Sequence, residues 1–210
     1  MRGVTDRGWP FAMWGLAAAL ILLQAGCSEP RLEPLPEGAV VLAFGDSLTS
    51  GSGASAEKSY PARLELLIGR RVVNAGVPGE LSAQGLERLP KALEEHRPAL
   101  VILCHGGNDF LQKRDPAETR RNVSRMLRLA KESGAQAVLI GVPPLGLFLR
   151  KTAPLYDEAA REAGVPFEGR VLPGILKDGS LKSDYVHPNE KGYQRLAEAV
   201  AGLLRRRGAV

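Results

Sequence analysis

The sequence predicts an α/β fold: a three-layer α/β/α sandwich around a five-stranded parallel sheet. From Ala39 onward, short apolar runs alternate with amphipathic stretches, the signature of strand and helix in turn. The runs are near-continuous rather than alternating, as strands buried on both faces require. Each run also ends in glycine or polar residues, where a chain leaves a sheet to form a loop.

The strands are expected at Ala39 to Phe44, Arg71 to Asn74, Leu100 to Cys104 and Ala137 to Val142, with a weaker one at Val165 to Phe167. Pro90 falls within the second helical stretch, so a bend or break is expected there. Asp115 is placed to cap the next helix, with Pro116 at its first position and Glu118 closing a capping box. Val123, Met126, Leu127 and Ala130 then recur at helical spacing, and Gly134 supplies the stop. The last helix should begin near Asn189 and turn Tyr193, Leu196, Ala197, Val200 and Leu204 toward the sheet. In such a sandwich, ligands bind at the carboxyl ends of the strands.

Composition narrows the function classes. A chain of 210 residues with 44% hydrophobic and 24% charged residues suits one ordinary globular domain. The net charge of +5 is scattered along helix-like stretches such as Arg120, Arg121, Arg125 and Arg128, which read as solvated faces. Nucleic-acid binding needs a concentrated basic stripe, so no nucleic-acid partner is expected. Two cysteines give no disulfide framework, and Cys104, inside an apolar run, reads as a core residue. With three histidines and scattered carboxylates, neither a metal site nor a cofactor is expected.

Residues 1–26 read as a signal peptide. Arg2 and Arg7 precede an apolar stretch from Phe11 to Leu23, well short of the roughly 20 residues a spanning helix needs. The following Gln24-Ala25-Gly26-Cys27 resembles the lipobox of bacterial lipoproteins, although Gln24 stands where an aliphatic residue is usual. That resemblance implies lipidation at Cys27, membrane attachment through it, and a place in the cell envelope facing the periplasm. Residues 27–38, with Pro30, Pro34 and Pro36, suit an extended tether, leaving 39–210 as the folded domain. A monomer is the default expectation.

The loops after the strands carry the candidate chemistry. The first holds Gly45-Asp46-Ser47-Leu48-Thr49-Ser50-Gly51, a serine in a glycine-flanked turn. The Gly-x-Ser-x-Gly elbow of α/β-hydrolases is absent, because Thr49 occupies its last position. The second holds Asn74-Ala75-Gly76-Val77-Pro78-Gly79-Glu80, where glycines free the backbone to expose N–H groups, and the third Gly106-Gly107-Asn108-Asp109. Near the end stands Asp184-Tyr185-Val186-His187-Pro188. A spacing of three lets the Asp184 carboxylate accept from Nδ1 of His187 and leaves Nε2 to face a serine.

These four ordered blocks resemble those of the SGNH (GDSL) hydrolase family. From about Val40 to Leu204 the chain is also similar to its thioesterase, arylesterase and lysophospholipase branch, through Val72-Val73-Asn74-Ala75 and Gly85-Leu86-x-Arg88-Leu89-Pro90. The resemblance implies a flavodoxin-like sheet and a serine hydrolase acting on esters. It makes Ser47 the nucleophile, His187 its base and Asp184 the orienting carboxylate. The oxyanion donors would be the Ser47 N–H, the Asn108 side-chain amide and a glycine N–H, for which the family spacing favours Gly79 over Gly76.

Asp46 reads as a brace for the serine loop and His105 as a packed or hydrogen-bonded residue beside the third. The apolar segment after the fourth strand, with Pro144, Leu145, Leu147 and Phe148, is a candidate wall for an acyl chain. It favours aryl or medium-chain esters, lysophospholipids or acyl thioesters as the small-molecule partner. Two alternatives stand beside this reading: an O-acetyl esterase acting on cell-wall or extracellular polysaccharide, and a non-catalytic lipoprotein that binds ligands.

Overall fold

The structure, a computed structural model, describes residues 30–144 and 151–210 together with Gly3. Cys27 and the rest of residues 1–29, Gly3 apart, lie outside the described residues, as do Leu145, Leu147 and Phe148.

Five parallel strands form one sheet: β1 (Val40–Gly45), β2 (Arg71–Gly76), β3 (Leu100–Cys104), β4 (Gln136–Ile140) and β5 (Phe167–Glu168). Their spatial order is β2-β1-β3-β4-β5, the flavodoxin-like arrangement. The register sets Gly45 level with Gly76 on one side and with Cys104 on the other, so three loops leave the sheet at one height. Central strands are the apolar ones. In β1 the side chains Val41 to Phe44 are fully buried, as are those of β3, whereas edge strand β2 exposes Arg71 and Asn74.

Eight α-helices are described: α1 (Ser47–Ser50), α2 (Tyr60–Ile68), α3 (Ser82–His96), α4 (Gly107–Leu111), α5 (Pro116–Glu132), α6 (Pro154–Ala163), α7 (Val171–Lys177) and α8 (Glu190–Arg207). Helix α2 packs on α8, and α5 lies between α3 and α6, which builds the two outer layers. The expected inward residues of α5 and α8 are all buried. Asn189 caps α8 through its side chain, which accepts from the N–H groups of Lys191 and Gly192.

Several expectations are corrected. Helix α3 does not end at Pro90 but runs through it to His96, with the proline on the exposed side. The N–H that proline lacks is lost on the wet face, where water can serve the freed carbonyl. Asp115 caps α5 by accepting from Ala117 N–H at 2.9 Å, one residue earlier than the capping box predicts. Strand β4 stops at Ile140, and Gly141 after it passes so close to Thr152 and Phe167 that any side chain there would collide with them. Strand β5 begins at Phe167, since the Val165 N–H still bonds to the Ala160 carbonyl at the end of α6.

Residues 30–36 form no helix or strand, lie against the domain and lead into a turn at Glu37 and Gly38. Leu32 and Leu35 are buried, and their N–H groups bond to the carbonyls of Arg207, the last residue of α8, and Ala209 just past it. Glu33 and the Gln136 side chain exchange two further hydrogen bonds. This contact sits at the amino end of the sheet, opposite the loops that carry the candidate chemistry.

Core packing yields a first prediction. Ile102, fully buried in central strand β3, leaves a cavity when shortened. Ile102→Ala should cost about 2–5 kcal/mol of stability, read as a lower urea midpoint at unchanged slope.

Candidate active site

Ser47 is the first residue of α1, immediately after the buried end of β1. Gly45 permits the sharp exit, because a Cβ there would lie 2.0 Å from the Cys104 carbonyl oxygen of the neighbouring strand. Asp46 then caps α1. Its Oδ1 accepts from Leu48 N–H at 3.0 Å and its Oδ2 from Gly107 N–H at 3.2 Å, so one carboxylate joins the β1 and β3 loops. Burial raises the pKa of Asp46, against the lowering effect of His105 and of these two N–H groups.

The loop before α8 brings in the imidazole. An antiparallel bridge between Lys182 and Pro188 pinches this segment into a turn, and Ser183 N–H bonds to the His187 carbonyl across it. Within the turn, Asp184 Oδ1 accepts from the N–H groups of Val186 and His187, both at 2.8 Å. Its Oδ2 lies 2.8 Å from His187 Nδ1, and His187 Nε2 lies 2.9 Å from Ser47 Oγ. Partial desolvation would raise the Asp184 pKa, but the hydrogen bonds from His187 Nδ1 and the two N–H groups bring it below the ordinary value. An ionised carboxylate on Nδ1 fixes the proton there and leaves Nε2 free to accept from the serine hydroxyl.

Ser47 and Asn108, two of the expected hydrogen-bond donors, line one cleft. The Ser47 N–H, at the start of a helix, has no acceptor among the described residues. Asn108 gives one amide hydrogen to the Glu80 carbonyl at 3.0 Å, which orients the side chain and leaves its second hydrogen uncommitted.

The two candidate glycines differ in their surroundings. Gly76 N–H is taken by Asn74 Oδ1 at 3.0 Å, and the residue is packed against the Ser50 backbone. Gly79 is exposed with its N–H unpartnered among the described residues, and its φ of +79° is one that favours glycine.

A cleft beside Ser47, Asn108 and His187 is walled by Leu48, Leu111, Val142, Leu176 and Val186. Pro144, the described member of the proposed acyl wall, is half-buried and does not line it, whereas Val142, two residues earlier, does. Leu111 and Leu176 were not legible as site residues, since nothing in their local pattern separates them from helix packing. Asp109 also has a place that the sequence does not reveal. It is buried, accepts from Ser82 N–H at 2.9 Å and from the Ser82 and Thr119 hydroxyls, and so anchors the start of α3.

His105 is fully buried, with Nε2 2.9 Å from Glu80 Oε2 and Nδ1 accepting from Gly106 N–H. Glu80 is bound on its other side by Arg88, through Nε and Nη2 at 2.7 Å each. Among the described residues no group of histidine, cysteine and carboxylate side chains could hold a metal ion, and no helix is long and apolar enough to cross a membrane.

Fold and site together define an α/β protein with a serine–histidine–aspartate chain at the carboxyl ends of a flavodoxin-like sheet. The chain belongs to the GDSL-like lipase/acylhydrolase family, whose profile matches residues 43–195. It is 33% identical over 197 residues to esterase TesA of Pseudomonas aeruginosa, covering 88% of this chain and 97% of that one. It is 31% identical over 175 residues to thioesterase 1/protease 1/lysophospholipase L1 of Escherichia coli, covering 78% and 82% respectively. A crystal structure of TesA superposes with a TM-score of 0.71 at 31% identity, covering 80% of this chain and 98% of that one.

The Glu80 cluster has a pH signature. Burial would raise its pKa, but the hydrogen bonds from Arg88 and His105, with the charge of Arg88, lower it from 4.5 to about 2. A carboxylate depressed in the folded state contributes stability above its unfolded pKa and loses it as pH falls through the folded one. Wild type should therefore lose stability between pH 4.5 and about 2. Glu80→Gln should lose less over the same interval, measured by urea unfolding at each pH.

Proposed function

We propose that this protein is a serine esterase that hydrolyses aryl or medium-chain acyl esters through an acyl-enzyme on Ser47. The observation that carries the reading is the continuous chain from Asp184 through His187 to Ser47, at 2.8 and 2.9 Å. In this reading His187 takes the Ser47 proton as Oγ attacks the acyl carbonyl, and Asp184 stabilises the imidazolium that forms. The developing oxyanion is met by the N–H groups of Ser47 and Gly79 and by the free amide hydrogen of Asn108. His187 then returns its proton to the departing alcohol, and a water deprotonated by His187 releases the acid.

The substrate class rests on the cleft. Its walls are the aliphatic side chains of Leu48, Leu111, Val142, Leu176 and Val186, which suit a hydrocarbon acyl chain better than a sugar rich in hydroxyls. Lysophospholipids and acyl thioesters present the same acyl group, and the name of the Escherichia coli relative supports both. Aliphatic contacts separate neighbouring chain lengths by only about 1–3 kcal/mol, so activity should be broad across the series.

A series of p-nitrophenyl esters from acetyl to decanoyl, assayed alongside O-acetylated glycans, tests this reading. Hydrolysis should favour the medium-chain esters, and exclusive action on the glycans would instead establish the polysaccharide esterase. Ser47→Ala and His187→Ala should each abolish turnover, and undiminished activity in the serine variant would remove the mechanism. Asn108→Ala should lower kcat by a factor of about 10² to 10³.

We further propose attachment to a membrane through lipid on Cys27. The leader pattern supports it. Because residues 30–36 dock at the amino end of the sheet, the cleft would face away from the anchoring bilayer. Cys27→Ala should move the protein from the detergent phase to the aqueous phase on Triton X-114 partitioning. Retention in the detergent phase would refute lipidation at this residue.

A further inference from the structure

Glu80 lies outside the Ser47–His187–Asp184 chain, yet the two loops carrying the proposed glycine and asparagine donors meet on it. Its main-chain carbonyl accepts from Asn108 Nδ2 at 3.0 Å, and the residue before it is Gly79. Its carboxylate is gripped from two directions. Arg88 of α3 binds both oxygens, and His105, three residues before Asn108, donates from Nε2 at 2.9 Å. The direction of that last bond follows from Nδ1, which accepts from Gly106 N–H at 2.9 Å and so leaves Nε2 as the donor.

The surroundings hold both partners in place. Tyr156 donates to the His105 carbonyl at 2.8 Å, and Gly85 leaves room for the ring, since a Cβ there would lie 2.3 Å from Nε2. Arg88 donates to the Ala75 carbonyl at 3.1 Å, and its guanidinium lies 4.1 Å over the Phe44 ring.

Burying a carboxylate and an imidazole is costly, and a well-packed apolar pair would usually serve stability as well. What an apolar pair cannot do is fix orientation. His105 and Asn108 grasp residue 80 at its side chain and its main chain, a two-point clasp that restrains rotation of the Gly79–Glu80 segment against the β3–α4 turn. Oxyanion donors act at full strength only when held to within about 0.5 Å.

We propose that Glu80, oriented by His105 and Arg88, is a positioning residue that sets the Gly79 N–H and the Asn108 amide relative to each other for the oxyanion. This rests on the serine-esterase reading above.

The test uses the full-length protein, with active sites counted by a covalent fluorophosphonate and turnover of p-nitrophenyl butyrate measured per titrated site. His105→Leu keeps bulk but removes the donor, whereas His105→Gln retains an N–H near the position of Nε2. The leucine variant should lose about tenfold in kcat with KM changed by less than about twofold, the pattern of an interaction made only in the transition state. Its affinity for an alkyl boronic acid, which forms a tetrahedral adduct with serine, should fall in parallel, while that for butyrate should not. The glutamine variant should recover to within about threefold of wild type.

A folded leucine variant with wild-type kcat per site, or a glutamine variant no better than leucine, overturns the proposal. If the leucine variant does not fold, Glu80→Gln decides: it should lower kcat at unchanged KM, and wild-type kcat overturns the proposal. Ser47→Ala, measured alongside, separates the two failures. An active Ser47→Ala removes the esterase reading and this role with it, whereas an inactive one beside an unimpaired His105→Leu removes this role alone.

Discussion

The reversal of strand order between β1 and β3 is the constraint on which the site depends. The chain leaves β1 toward β2 on one side of the sheet and returns to lay β3 on the other. Loops leaving β1 and β3 therefore diverge, and a crevice opens between the carboxyl ends of two adjacent strands. Ser47 and Asn108 stand at its two edges because each follows one of those strands. The fully buried side chains of β1 and β3 hold the edges at fixed separation, and the loop before α8 needs only to lower His187 onto Ser47.

Buried carboxylates brace this crevice. Asp46 on the β1 loop accepts from Gly107, Asp109 on the β3 side accepts from Ser82 at the start of α3, and Glu80 on the β2 loop accepts from His105. Each joins the β3–α4 region to another loop, which makes that region the hub of the site. A buried carboxylate without partners would be destabilising, so these residues work only as a set with the donors they meet. Their environments differ in consequence: burial raises the pKa of Asp46, whereas Arg88 and His105 lower that of Glu80 to about 2.

The two ends of the sheet have separate tasks. Chemistry-bearing loops gather at the carboxyl end, while the amino end receives residues 30–38 through Leu32, Leu35 and the Glu33–Gln136 exchange. A segment docked in this way extends the core beneath the sheet without touching the crevice.

By itself the sequence determined the layers, the strand-end loops and the residue types within them, because burial on both faces writes near-continuous apolar runs and functional turns write glycine, serine, asparagine and aspartate. The pair Asp184 and His187 was legible for the same local reason: a spacing of three closes within a single turn. The element end at Val165 and the passage of α3 through Pro90 depend instead on neighbours and on which face meets water. Only the tertiary structure brought His187 to Ser47 and joined Glu80 to Arg88 and His105. It also put Leu111, Val142 and Leu176 on the cleft wall. These are contacts between segments far apart in the chain, whose distances follow from sheet order and helix packing, and local pattern carries no record of them.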